Sequence, residues 1–188
     1  MEISLKKEVI LDRTLCRIIG VAAFAVFMGL GAFVRIPLPF SPVPITLQTF
    51  FVLLSGACLG GNLGGLSQLT YILAGMAGLP VFAGAGNGLL SLLGPTGGYI
   101  LGFVLASLFV GKLIKYSSKG IFYVFVLFCL ADLILLSCGT LWLKAMLGYP
   151  FTKSVVIGFL PFIPGDLLKI SAASVIYSRL HKRCREIF

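Results

Sequence analysis

Long apolar stretches recur along this chain, and residues 120–143, GIFYVFVLFCLADLILLSCGTLWL, contain a single charged residue, Asp132. An α-helix needs about 20 mostly apolar residues to cross the hydrocarbon core of a bilayer. Over the whole chain 59% of the residues are hydrophobic and 11% are charged, about half of the charged fraction of a soluble protein or less. The apolar runs are continuous rather than alternating, which predicts an integral membrane protein made of helices and not a β-barrel.

Composition and motifs exclude several classes of function. The net charge is +9, but the basic residues cluster at the ends of apolar stretches, so we expect no nucleic acid partner. The five cysteines contain no CxxC pair, and neither a disulfide framework nor a metal site is predicted. HExxH and GxSxG are absent, and GPTGG at residues 94–98 is followed by no GK[ST]. A powered function would therefore need an ATPase partner.

The pattern predicts one all-α transmembrane domain, residues 1–188, with six membrane helices. Prolines near helix ends help to place the boundaries. The predicted helices are at about 15–34, 45–60, 62–79, 97–114, 120–143 and 164–182, and a short extra helix is expected over 152–160.

The distribution of Lys and Arg predicts that both termini are cytoplasmic, because short cytoplasmic segments carry an excess of these residues. One side of the predicted bundle holds both termini and the loop between the fourth and fifth helices, with Lys6, Lys7, Arg13, Arg17, Lys112, Lys115, Lys119, Arg179, Lys182, Arg183 and Arg185. The opposite side holds only Arg35, which we interpret as an interfacial anchor, with Lys144 and Lys153.

The two long loops on the outer side are unusual. Residues 35–45, RIPLPFSPVPI, carry four prolines, which stiffen the chain toward polyproline II and forbid a helix. Residues 79–98, LPVFAGAGNGLLSLLGPTGG, are rich in glycine and uncharged. A loop with so many apolar residues is expected to fold over apolar protein, as a lid or plug would.

Asp166 and Lys169 are isolated charges in an otherwise apolar segment, GFLPFIPGDLLKI, residues 158–170. Pro164 places Asp166 in the first turn of the sixth helix, where a carboxylate meets unpaired N–H groups. Lys169 lies three residues later, on the same face. A structural ion pair is one interpretation, and a functional site is the other, because ionisable groups at membrane depth are costly.

Other polar residues share the same outer level: Gln48 in the second helix, Asn87 in the Gly-rich loop and Tyr99 at the start of the fourth helix. Each alone is explained as readily by a neighbouring helix or turn as by a ligand, but their shared level favours a site. Asp132, near the middle of the fifth helix, is either an internal polar partner or a site residue.

Ala25 and Gly29 form a small-xxx-small pair in the first helix. Such a pair allows another helix to approach closely. The approaching helix could belong to a partner or to the bundle itself, and the sequence leaves both interpretations open.

Three long stretches resemble the BioY family, the biotin-binding S components of energy-coupling factor (ECF) vitamin transporters. They are RIPLPFSPVPITLQT, GLPVFAGAGNGLLSLLGPTGGYILGF and FLPFIPGDLLKI. The resemblance implies six helices in the cytoplasmic membrane and biotin binding near the outer surface. It also implies partners: a transmembrane coupling subunit and two ABC-type ATPases. No cofactor is implied, since biotin is the transported ligand and only the partners use ATP.

The resemblance also implies roles for individual residues. Asn87, Tyr99, Asp166 and Lys169 would line the biotin pocket, with Gln48 close by. The first helix in the family tends toward an AxxxA coupling motif, and Ala25 and Gly29 stand at these positions here, where they would dock on the coupling subunit.

Biotin suits these side chains chemically. Asp166 and Asn87 can accept hydrogen bonds from the ureido N–H groups, and Lys169 can donate to the ureido oxygen or to the ligand's carboxylate. Two other hypotheses remain. One is a standalone facilitator or proton-coupled carrier for a small polar solute, with Asp132 or Asp166 as proton site. The other is an intramembrane enzyme using Asp166 and Lys169, although no nucleophile–base pair accompanies them.

Overall fold

The computed structural model describes residues 2–84, 88–114 and 120–187, and this part of the chain is mostly helical. A short β-hairpin follows the first helix, and two short helices lie between longer ones. The elements in chain order are α1 (Glu2–Phe33), β1 (Arg35–Leu38), β2 (Ser41–Thr46), α2 (Gln48–Leu59), α3 (Gly61–Met76), α4 (Gly88–Leu93), α5 (Gly97–Leu113), α6 (Gly120–Leu147), α7 (Phe151–Gly158) and α8 (Ile163–Ile187).

Two segments are long and apolar enough to cross a membrane, Arg13–Phe33 within α1 and Gly120–Leu147, which is α6. Together, α7 and α8 pass the same test as a pair bent by 49°. The apolar helices α2 and α5 are shorter. Length and composition thus give two or three candidate spans in the described residues, and the six-span topology with cytoplasmic termini stays a prediction.

The outer surface of the bundle is apolar. Leu90, Phe122 and Leu168 are 85%, 77% and 74% exposed, and many other large apolar side chains on the helices are also exposed. Such a surface marks a protein whose surroundings are apolar rather than aqueous. The structure therefore agrees with the prediction of a membrane protein.

Small and polar residues join α2, α3 and α5 inside the bundle. A Cβ atom on Gly111 would overlap the backbone of Gly61, so glycine is what allows α3 and α5 to touch. Nearby, Gln68 Nε2 donates to Ser55 Oγ at 2.8 Å, and Ser55 Oγ lies 3.0 Å from Ser107 Oγ. These buried hydrogen bonds hold α2, α3 and α5 together, and the cavity described below is lined on one side by these three helices.

The proline-rich segment differs from the prediction of a polyproline II-like loop. It folds into an antiparallel hairpin in which Arg35 pairs with Thr46, and the register shifts between Ile36 and Leu38. In a two-stranded sheet, each strand has one edge that pairs with no other strand. A proline whose nitrogen faces that edge removes no hydrogen bond from the sheet. Leu47 then closes the segment by donating to the carbonyl oxygens of Gly31 and Val34 at 3.2 and 3.1 Å.

The hairpin also corrects a helix boundary. Because Ser41–Thr46 are in β2, α2 begins at Gln48 and not at residue 45. The Gly-rich loop contains the short helix α4, which the sequence did not predict. The short helix expected over 152–160 is α7, Phe151–Gly158.

Candidate functional site

A cavity opens where α2, α5 and α8 begin. Its empty volume, counted together with the open mouth, is about 510 Å³. It is lined by β2, α2, α3, α5, α6 and α8, and by both sides of the Gly-rich loop. Half of the lining side chains are apolar, and the polar half is Thr46, Gln48, Thr49, Tyr71, Thr96, Tyr99, Asp166 and Lys169.

Asp166 and Lys169 form an ion pair at this cavity. Lys169 Nζ donates to Asp166 Oδ1 at 2.7 Å, and Thr49 approaches the same carboxylate from α2. Asp166 is only 1% exposed, yet its Oδ2 has no hydrogen-bond partner among the described residues. A buried acceptor left unpaired costs about 1–3 kcal/mol, so this oxygen is a ready acceptor for a ligand N–H group.

Gln48 is held by neighbours on both sides of its amide. Its Nε2 donates to Tyr71 Oη at 2.7 Å, and the Thr46 hydroxyl donates to its Oε1 at 3.2 Å. Tyr71 in turn donates to the carbonyl oxygen of Val81 at 3.2 Å. Gln48 therefore connects the hairpin, α2, α3 and the start of the Gly-rich loop, and it shapes one wall of the cavity.

Tyr71 is a site residue that the sequence reasoning missed. It is 1% exposed and lines the cavity. It lies in the mostly apolar second half of α3, and the residues around it form no recognisable sequence motif. The available signal was its spacing from Gln68, three residues earlier, which places both polar groups on one helix face.

Tyr99 lines the cavity as the resemblance implied, but its hydroxyl is already used within the protein. It donates to the carbonyl oxygen of Gly158, which also accepts from the Thr140 hydroxyl at 3.2 Å. Tyr99 thus presents its ring to the cavity while its hydroxyl fixes the end of α7. A Cβ on Gly158 would lie 2.8 Å from this hydroxyl, so the close approach requires glycine there.

Asn87 lies outside the described residues, so its predicted role is not located. The residues on either side of it are informative, because Ala83 and Thr96 both line the cavity. Before the gap, Gly84 has a φ of 86°, and a Cβ there would lie 2.6 Å from Arg35 Nη1. The Gly-rich loop therefore reaches the cavity from both of its sides.

Asp132 belongs to the same group of charges without lining the cavity. It lies on α6, one turn from Leu135, which does line it. Its side chain is buried, its Oδ1 has no hydrogen-bond partner in the described part of the chain, and its charge interacts with those of Asp166 and Lys169. The buried end of the site thus combines two carboxyl groups with one ammonium group.

Ala25 and Gly29 lie on the side of α1 that faces the interior of the helix bundle. Gly29 is buried, and a Cβ there would contact Val81 at 3.6 Å, while Ala25 packs against the apolar core. This placement favours the internal-packing interpretation of the pair. The exposed face of α1 carries Ala22, Val26, Leu30 and Phe33.

The arrangement suits binding rather than chemistry. In the part of the chain that the structure describes, no three His, Cys, Asp or Glu side chains come together as a metal site. A cavity that combines apolar side chains with one buried ion pair and one acceptor unpaired among the described residues matches a small, partly apolar ligand that presents N–H donors.

Comparisons with known proteins show the family and the fold of this chain. Residues 5–186 match the BioY family. A BioY protein of Pyrococcus horikoshii is 41% identical over 165 residues, 85% of this chain and 93% of the relative. The biotin transporter BioY of Thermotoga maritima is 37% identical over 166 residues, 88% and 96% of the two chains.

A solved structure is also similar. The crystal structure of the S-component for biotin from an ECF-type ABC transporter superposes with a TM-score of 0.84 at 30% identity, covering 91% of this chain and 93% of the other. The fold class predicted from the sequence, that of an ECF S component, is thereby confirmed. Family match, relatives and fold lead to one conclusion: the chain belongs to the BioY family.

Proposed function

We propose that this protein is the membrane-embedded biotin-binding subunit of an ECF vitamin transporter. It captures biotin at the outer side and delivers it through an ATP-powered partner module. The observation that carries the proposal is the buried Asp166 Oδ2, an acceptor without a partner among the described residues at a partly apolar cavity of a chain in the BioY family. Its relatives include biotin transporters.

The charges support one orientation of biotin. A ligand carboxylate beside Asp166 Oδ2 would meet the negative charge of that carboxylate, with Asp132 buried behind it, and like charges in a poorly polar site repel strongly. The neutral ureido ring avoids this repulsion, because its N–H groups donate to Asp166 and its carbonyl oxygen accepts from Lys169. The carboxylate of biotin then points away from the two aspartates, with Asn87 as a further acceptor for the ureido group.

The proposal includes the topology and the partners. The protein has six spans with both termini in the cytoplasm, which the apolar surface and the distribution of Lys and Arg support. A transmembrane coupling subunit and two ABC-type ATPases supply the energy, since the chain has no ATP-binding motif. The protein itself needs no cofactor.

A proton-coupled carrier is a second candidate, favoured by the buried and incompletely paired carboxyl groups of Asp132 and Asp166. Labelled biotin uptake into liposomes separates the two. We expect accumulation only when the coupling subunit, the ATPases and ATP accompany this chain. Accumulation by this chain alone, driven by a pH gradient, would overturn the role as an S component. Conversion of biotin into a product would indicate an enzyme instead.

A further inference from the structure

The single tryptophan of the chain, Trp142, holds the end of the Gly-rich loop against α6. Its indole Nε1 donates to the carbonyl oxygen of Gly94 at 3.0 Å. The backbone N–H of Gly97 donates to the same oxygen, also at 3.0 Å. One carbonyl thus joins the turn at residues 94–97 to a helix that lies far away in sequence.

Two glycines make this contact possible. A Cβ on Gly98 would collide with the side chain of Trp142, and one on Gly97 would lie 3.2 Å from the indole nitrogen and overlap the carbonyl oxygen of Leu92. No larger residue fits at either position without moving the turn or the helix. In GPTGG, which is no phosphate loop, Gly98 is therefore explained by its packing against Trp142, and Gly97 mainly by the nearby carbonyl oxygen of Leu92.

The turn that Trp142 holds is part of the cavity. Thr96 lines the cavity from the turn itself, and its hydroxyl donates to the carbonyl oxygen of Ser91 in α4 at 3.3 Å. We define the lid segment as residues 88–96, which include α4 and this turn. The same helix that carries Trp142 supplies Leu135 and Leu136 to the cavity wall, so one rigid element connects the wall to the lid segment.

An ordinary interfacial tryptophan is the simpler explanation, because indole rings are enriched at membrane surfaces. Such a residue directs its N–H to headgroups or water. Here the N–H donates to a backbone carbonyl of the loop, and the absence of a side chain at Gly98 makes room for Trp142. Both observations point to a structural contact with the loop.

We propose that Trp142 is a positioning residue that keeps the lid segment over the bound ligand and so slows ligand dissociation. The inference rests on the proposed function, since biotin is the ligand used to measure it. Removing the N–H should free the turn; Trp142→Phe removes it together with part of the ring, and an indole analogue without the N–H removes it at constant ring volume.

The test compares Trp142→Phe with a matched control. We expect biotin to dissociate from purified Trp142→Phe roughly fivefold faster, the scale of one lost hydrogen bond, with the association rate nearly unchanged. Without ligand, amide hydrogen exchange over residues 88–96 should also be faster. Tyr123→Phe removes the hydroxyl that donates to the carbonyl oxygen of Leu113 at 3.2 Å, at the opposite end of α6, and should change neither quantity.

A second replacement protects the test against misfolding of the variant. Because Trp142 is the only tryptophan, feeding cells β-(3-benzothienyl)alanine replaces the indole with an isosteric ring that lacks the N–H. Unchanged exchange and unchanged dissociation in this protein would overturn the inference. If the parent protein binds no biotin, the proposed function fails, while hydrogen exchange still decides whether the N–H holds the lid segment.

Discussion

Lys169 Nζ lies 2.7 Å from Asp166 Oδ1, and the two residues share the first turns of α8. The bond occupies one oxygen of the carboxylate and leaves Oδ2 without a partner among the described residues. The ion pair therefore keeps a charge inside the bundle and also leaves an acceptor available to a ligand.

Asp166→Asn should weaken biotin binding by roughly 1.5–3 kcal/mol, the scale of a hydrogen bond to a charged group. The amide keeps the shape of the side chain but presents a poorer acceptor. Calorimetric titration of the purified variant measures the effect. Ser171→Ala, an exposed position on the same helix, is the control and should bind like the parent. Binding of Asp166→Asn within twofold of the parent would remove this residue from the site.

Lys169→Met should destabilise the fold by about 3–5 kcal/mol, because it leaves a buried carboxylate without its counter-charge. Adding Asp166→Asn removes the unpaired carboxylate charge, so the double variant should recover most of the thermal stability in detergent. It should not recover biotin affinity. A double variant as unstable as Lys169→Met would show that the cost does not come from the unpaired charge.

The spacing of Asp166 and Lys169 after Pro164 was enough to put both residues on one face of a helix and to offer an ion pair as one interpretation, because such contacts are local. Tyr71 could not be found this way, since its role depends on Gln48, which is distant in sequence and bonded to it at 2.7 Å. The hairpin was missed for a similar reason. Proline density excludes a helix, but the pairing of Arg35 with Thr46 depends on how the segment closes against α1.

Gly29→Trp should abolish biotin binding, because the structure places Gly29 against Val81. Displacing Val81 would break the hydrogen bond that its carbonyl accepts from Tyr71 and disturb the wall that Gln48 supports. Ala22→Trp, on the exposed face of α1, is the matched control and should bind biotin normally. Retained binding in Gly29→Trp with lost ATP-dependent uptake would instead favour the partner-docking interpretation.

The small-xxx-small pair shows a limit of sequence reasoning. Ala25 and Gly29 allow close approach, but their spacing is the same whether the approaching segment belongs to a partner or to the same chain. Only the fold, which places Val81 beside Gly29, distinguishes the two. Gly98 is similar, because the side chain that leaves no room for a Cβ there, Trp142, lies more than forty positions away.

Hydrogen exchange over the lid segment should slow when biotin is added, since Thr96 lines the cavity and loops that cover ligands become ordered on binding. The interior of α6 should exchange slowly with and without ligand, which provides an internal reference. Equal exchange of residues 88–96 in both states would argue against a lid.

The most direct measurement is an equilibrium titration of the purified protein, in detergent or nanodiscs, with unmodified biotin, in which calorimetry detects binding. We expect saturable binding of one biotin per chain, with an affinity that Asp166→Asn strongly reduces and Ser171→Ala leaves unchanged. Absence of biotin binding by protein whose helical circular dichroism is intact would contradict the assignment of this cavity as a biotin site.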